Sequence, residues 1–288
     1  MKCASHKTEH GLFNVRRMSR DEASLAVSWA AAEGWNPGLY DADCFFRTDP
    51  DGFFVGELDG TPIGSISAVA YDRQFGFAGL YIIASEFRGH GLFAKYLAHA
   101  ALEYMGDRNV GLDAVIERQH KYEAAGFRFA YRNFRFEGSG GGEMAEGVID
   151  LRGLPFETIE VYDLPCFPAP RSGFLRAWIN QPGSSALGVL KNGHLAGYGV
   201  IRPCVKGYKI GPLFADSPAE AEILFNALAL HAEGSVVCLD TPETNPLAAD
   251  LARRHNMSIV FETARMYTRG SPRLAIERIF GVTSFELG

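Results

Sequence analysis

The segment Tyr81-Ile82-Ile83-Ala84-Ser85-Glu86-Phe87-Arg88-Gly89-His90-Gly91-Leu92-Phe93 decides how the first half of the chain reads. A β-prone run, 75–84, leads into it. From Leu92 onward Phe93, Tyr96, Leu97, Ala100, Ala101 and Tyr104 follow the three-and-four spacing of a helix, which Gly106 ends. A strand that passes through a glycine turn into a helix aims successive backbone N–H groups at one point. A helix N-terminus has unsatisfied donors and partial positive charge, so that point suits an anion such as pyrophosphate. Gly89 and Gly91 allow close backbone approach, and Arg88 adds a charge-assisted contact. A plain strand-to-helix loop with a surface arginine accounts for the same residues.

Upstream, 12–18 reads as a short strand and 21–32 as an alanine-rich helix stopped by Gly34 and Pro37. The β-prone runs 53–58 and 62–71 flank Asp59-Gly60, the signature of a two-residue hairpin turn. Downstream come a strand at 110–116, a short helix at 118–125 closed by Gly126, and a strand at 127–136. Apolar periodicity then vanishes in Glu137-Gly138-Ser139-Gly140-Gly141-Gly142. A glycine-rich linker is expected over 138–147, between a first domain, 1–137, and a second, 148–288. The second half repeats the order: strands 186–191 and 194–203 about Asn192-Gly193, a strand 210–214, a helix 217–232 with Ser217 as cap and Pro218 at its first position, a strand 235–240, a helix 246–255 and a strand 257–267. Gly60 matches Gly193 and Gly126 matches Asn256 at nearly the same separation, which points to an internal duplication. The expected class is α+β: two copies of a mixed, mostly antiparallel twisted sheet flanked by helices.

The 288 residues are 47% hydrophobic and 22% charged, a composition that suits soluble globular domains. With a net charge of −6 and no long run of Lys or Arg, the chain has no stripe for tracking nucleic acid, so an anionic partner must be held locally. Cys3, Cys44, Cys166, Cys204 and Cys238 are odd in number and scattered, which argues against a disulfide framework or zinc site and for reduced thiols in a cytoplasmic protein. Residues 1–11 are polar, so no signal peptide is expected, and no run approaches the ~20 apolar residues of a membrane helix. The histidines have no metal-ligand spacing, and Ser85 and Ser217 lack a nucleophile-elbow context; neither a metal nor covalent catalysis is expected.

Arg88-Gly89-His90-Gly91-Leu92-Phe93 resembles the R/Q-x-x-G-x-G/A motif of the GNAT acetyltransferase superfamily. It departs at its last position, where Phe93 replaces Gly or Ala and sets a ring beside the donors. Downstream, Lys121-Tyr122-Glu123-Ala124-Ala125-Gly126-Phe127 looks like the family's Y-x-x-x-G-F segment. The resemblance covers residues 11–137 and, more weakly, 148–288. It is to a bacterial two-domain subfamily with an active first GNAT domain and a degenerate second one. It implies acetyl-CoA or another acyl-CoA as co-substrate, with pyrophosphate at Arg88, Gly89, His90, Gly91, Leu92 and Phe93. It also implies a V-shaped opening between the fourth and fifth strands, where pantetheine bonds backbone groups near Tyr81, Ile82 and Ile83. One N–H there would polarise the thioester carbonyl, and Tyr122 would protonate the departing thiolate. Taken on its own, Tyr122 equally suits an aromatic that packs its helix on the sheet.

An attacking amine must lose a proton, and Glu33 is the first candidate base, with Trp35 and Asn36 beside it as substrate contacts. The segment Glu33-Gly34-Trp35-Asn36-Pro37-Gly38 combines a carboxylate, an aromatic face and a rigid turn. A solvated helix-end carboxylate and a packing tryptophan explain it too. Asp41, Glu57 and Glu117 are weaker candidates. In the second half, the matching turn Phe214-Ala215-Asp216-Ser217-Pro218-Ala219-Glu220 has no glycine and two acids, unsuited to pyrophosphate. The segments 240–246 and 265–267 end strands and serve either a cleft or ordinary turns. The expected function is transfer of an acyl group, acetyl first, from CoA to a primary amine of a small molecule, with no nucleic-acid or membrane partner. A catalytically silent acyl-CoA sensor is the alternative. Oligomeric state is not fixed by the sequence.

Overall fold

The structure, a computed structural model, describes residues 4–89 and 91–288; Cys3 and His90 lie outside the described residues. In the first half a hairpin, β1 (Ala4–Thr8) and β2 (Gly11–Arg17), precedes the helices α1 (Arg20–Ala32) and α2 (Asp41–Thr48). The strands β3 (Phe53–Leu58), β4 (Thr61–Ala70) and β5 (Phe75–Ile83) form an antiparallel meander. Then follow α3 (Leu92–Met105), β6 (Asn109–Val115), α4 (Gln119–Ala124) and β7 (Arg128–Ser139). The second half has β8 (Val148–Asp150), α5 (Phe156–Asp163), α6 (Ser172–Trp178), β9 (Ser185–Lys191), β10 (His194–Pro203), β11 (Tyr208–Ala215), α7 (Pro218–Leu230), β12 (Val236–Pro242), α8 (Pro246–Arg254), β13 (Ser258–Tyr267) and β14 (Ile279–Gly281).

Local chemistry explains the repeated parts. Both hairpin turns hold two residues in the left-handed region, Asp59 and Gly60 in one and Asn192 and Gly193 in the other, as a two-residue turn with the twist of its strands requires. Ser217 caps α7 by accepting from the Ala219 N–H at 3.2 Å, with Pro218 at the first position. In the first half α3 packs on one face of the sheet, where Phe13, Phe93, Leu97 and Met105 are buried together. On the other face α1 and α2 join α5 and α6 in a core that spans both halves.

The sheets of the two halves are one. Strand order runs β1-β2-β3-β4-β5-β6-β13-β7-β12-β11-β10-β9-β8, with β14 on β11. The last long strand of each half therefore closes on the other half: β13 lies between β6 and β7, and β7 between β13 and β12. Matched ion pairs mark the exchange. Arg135 on β7 stands opposite Asp240 on β12 and binds it through two 2.7 Å hydrogen bonds. Arg265 on β13 stands opposite Asp113 on β6 and binds it at 3.0 and 2.6 Å. A third buried pair, Arg202 on β10 with Asp41 on α2, also joins the halves.

The glycine-rich stretch differs from a loose tether. Gly138 and Ser139 continue β7, opposite Val237 and Val236, and Gly141 donates to the Ala229 carbonyl at the end of α7. A Cβ on Gly140 would stand 2.0 Å from the Ala232 carbonyl oxygen. These glycines give close packing as well as freedom, which composition alone does not distinguish. Gly140→Ala is expected to destabilise the chain by about 1–3 kcal/mol, read by urea denaturation.

Candidate active site

β5 and β6 run parallel but pair only from Phe75 opposite Asn109 to Ala78 opposite Leu112. Beyond that point they part, leaving the β5 edge from Gly79 onward unpaired by β6. The opening spans five residues, Gly79 to Ile83, about 16 Å of strand. Within it, a register shift against Ser65 and Ser67 marks a bulge, and Leu80 has φ +47°. The Leu80 carbonyl accepts from the Ser65 hydroxyl at 2.8 Å, so the strained residue is held on its outer side.

A cavity of about 890 Å³ occupies this opening. It is lined by Tyr81, Ile82, Ile83, Arg88, Gly89, Gly91, Phe93, Tyr122, Glu33 and Trp35, so both motifs and the helix-end segment meet there. Gly89 and Gly91 have φ +93° and +66°, and Gly91 caps α3. Their requirement is conformational, because a Cβ at either meets nothing within 4 Å. Leu92 opens α3 but does not line the cavity. The Phe93 ring, 2% exposed, turns against Phe13 with centroids 4.8 Å apart, so the sequence expectation of a ring beside the donors is corrected: α3 buries it in the core.

Three exposed cations that sequence inspection missed, Lys95, Arg118 and Lys121, also line the cavity. Lys95 on α3 is far in sequence from Arg118 and Lys121 at α4, and only the fold brings them to one cavity. Together with Arg88 they give an acidic protein one cationic mouth, next to the α3 N-terminus. The arrangement fits a phosphate-bearing ligand whose extended arm runs along the free edge of β5. Among the described residues no three His, Cys, Asp or Glu side chains gather in a metal-binding cluster.

Tyr122, half-buried on α4, packs edge-on to Phe127. Burial pushes its phenol up to about 12, against a smaller downward pull from Arg118. Burial also raises Tyr81, with Tyr122 adding to it, and the Tyr81 hydroxyl donates to the Ala94 carbonyl at 2.5 Å. Arg88 donates through Nε to the Ile83 carbonyl at 2.7 Å and through Nη2 to Glu33. The expected base is thus engaged by the expected phosphate contact.

The other expected acceptor residues separate. Trp35 lines the cavity, and its carbonyl accepts from Arg135 Nη1 at 2.7 Å. Asn36 does not line it: its amide donates to the Lys206 carbonyl at 3.0 Å and accepts from the Lys206 N–H at 2.8 Å, fastening the two halves. Asp41 is buried against Arg202, Glu57 pairs with Arg16, and Glu117 is exposed away from the cavity. Asp240 and Arg265 serve the buried ion pairs. Phe261, Thr263, Phe285 and Glu286 of the second half complete the lining. They follow no motif, which is why the sequence did not reveal them.

The second half has a matching opening, and the chain fills it. β11 and β12 pair from Tyr208 opposite Val237 to Ile210 opposite Leu239, then part. β14 enters the gap, with Leu213 opposite Gly281 and Phe214 opposite Ile279, and the Val282 N–H donates to the Asp240 carbonyl at 2.8 Å. Asp216 in the matching turn is occupied by Tyr162 and Arg278, both at 2.9 Å.

A parallel-strand fork present twice, open above a glycine turn in the first half and filled by β14 in the second, defines a tandem acyltransferase fold. Residues 16–127 match the model of the acetyltransferase (GNAT) family and residues 159–281 that of an acetyltransferase (GNAT) domain. The chain belongs to the GNAT acetyltransferases and carries one such domain in each half. It is similar to the holothin acyltransferase of Pseudoalteromonas sp. (strain SANK 73390), 29% identical over 283 residues, covering 97% of this chain and 96% of that protein. Its fold is that of a Pyrococcus horikoshii protein assigned as an acetyltransferase, at TM-score 0.82 and 23% identity, covering 98% and 97% of the two chains. A tandem GNAT protein from the clavulanic acid biosynthesis pathway aligns at TM-score 0.60 and 15% identity, covering 88% of this chain and 98% of that one.

Proposed function

We propose that the first half binds acyl-CoA, acetyl-CoA first, and transfers its acyl group to a primary amine of a small molecule by direct attack in a ternary complex. The observation that carries this reading is the convergence of the Gly89–Gly91 turn, the free edge of β5 and Tyr122 on one cavity. Acyl-CoA brings an activated thioester; the protein orients, polarises and moves protons. Held at about 12, the Tyr122 phenol keeps its proton across neutral pH and donates it to the departing thiolate. The bulge at Leu80 interrupts the β4–β5 register beside the opening, where one β5 backbone N–H would polarise the carbonyl. Orientation of amine and thioester supplies up to ~7–11 kcal/mol in favourable cases.

The acyltransferase relative, named for holothin, supports a small-molecule acceptor. The buried free thiols Cys44, Cys166, Cys204 and Cys238 support a reducing, cytoplasmic setting. No helix among the described residues is long and apolar enough to cross a membrane.

The test is release of CoA thiol together with acetylated product when the purified chain meets acetyl-CoA and a panel of small primary amines. Product from at least one amine is expected; none across the panel contradicts the reading. Gly91→Glu sets a side chain at φ +66° and a carboxylate among the donors, and is expected to weaken acetyl-CoA binding about tenfold or more by calorimetry.

A further inference from the structure

After filling the second opening as β14, the chain crosses to the first. A Cβ on Gly79, the first β5 residue past the fork, would stand 2.1 Å from the Glu286 carbonyl oxygen and 3.0 Å from its Cα. Residues 285–286 therefore lie against the apex of the opening, from the side opposite α3. Glu286 borders the cavity although it is only 4% exposed, and its Oε2, itself buried, has no hydrogen-bond partner among the described residues. Arg135 and Arg202 are close enough to feel its charge, but each is committed to an aspartate, Asp240 and Asp41, and neither forms an ion pair with Glu286. A buried carboxylate oxygen with no partner is costly unless a ligand completes it. Around it stand aromatic rings from both halves: Trp35, and Phe261 and Phe285, whose centroids are 6.4 Å apart.

We propose that Glu286, not Glu33, receives the acceptor's proton, and that the acceptor is the amine of a flat, largely apolar molecule seated among these rings. This rests on the acyltransferase reading above. Glu33 is held by Arg88 at the phosphate end, whereas Glu286 sits at the apex, where an arm laid along β5 from the turn brings its thioester. As the amine nitrogen bonds the thioester carbon and the C–S bond breaks, the nitrogen's proton passes to Glu286 and the Tyr122 proton passes to sulfur. Exchange with water restores both groups. The second domain thus acts on the first through one strand: the segment that closes the unused opening delivers a carboxylate to the used one.

The test measures kcat, KM for amine and acetyl-CoA affinity for the wild type, Glu286→Gln, Glu286→Asp and Glu33→Gln, with aromatic monoamines as acceptors. Glu286→Gln is expected to lower kcat about a hundredfold with acetyl-CoA affinity within about twofold of wild type; Glu286→Asp recovers part of the rate, and Glu33→Gln loses less than Glu286→Gln. Glu286→Gln with an unchanged kcat, or a larger loss at Glu33→Gln, would overturn the assignment. A wild-type chain that acylates no amine would overturn the acyltransferase reading and this inference with it.

Discussion

Tyr122→Phe is expected to lower kcat about a hundredfold or more while acetyl-CoA affinity stays within about twofold, if the proposed proton transfer holds. The ring and its edge-on packing against Phe127 survive the change, so only the hydroxyl is lost. Because burial lifts the phenol to about 12, the hydroxyl stays protonated well above neutrality, and the wild-type rate should show no fall from loss of this proton below about pH 11. A Phe variant that keeps the wild-type rate returns Tyr122 to a packing role. A variant that loses rate and acetyl-CoA affinity together assigns it to binding.

Arg135→Ala is expected to cost about 3–5 kcal/mol of unfolding free energy in urea, since it strands Asp240, 1% exposed, without its partner. It also releases the Trp35 carbonyl, so the Trp35 side of the cavity loosens in whatever fraction folds. Burial pushes the Asp240 carboxyl up, but the Arg135 guanidinium outweighs it and holds the group below the ordinary range. A depressed carboxylate stabilises above its unfolded pKa, so the pair's contribution is complete at neutral pH and lost as acid protonates Asp240. Arg135→Met with Asp240→Leu, which removes both charges, should recover most of the loss. A cost under about 1 kcal/mol for the single variant contradicts a structural role for the pair.

The order of elements within each half was legible because it is local. Alternation, the Asp59-Gly60 and Asn192-Gly193 turns and the Ser217-Pro218 cap act within a few residues. The glycine turn before α3 and the short helix that carries Tyr122 were legible for the same reason. The exchange of β7 and β13 was not, because periodicity identifies a strand without naming its neighbour; Arg135 and Asp240 are opposite each other across 105 positions of sequence. β14 has three residues and no alternation to read. The cation cluster and the Glu286 apex depend on elements far apart in sequence, so no spacing announces them. Glu33 and Asn36 had suitable chemistry in a suitable segment, but their long-range partners, Arg88 and Lys206, could not be read from it.

The measurement that bears most directly on the account is the stoichiometry of acetyl-CoA binding by isothermal titration of the whole chain. One site per chain, lost in Gly91→Glu, is the predicted result, because the first fork is open and β14 occupies the second. Two sites, or one site insensitive to Gly91→Glu, would contradict it.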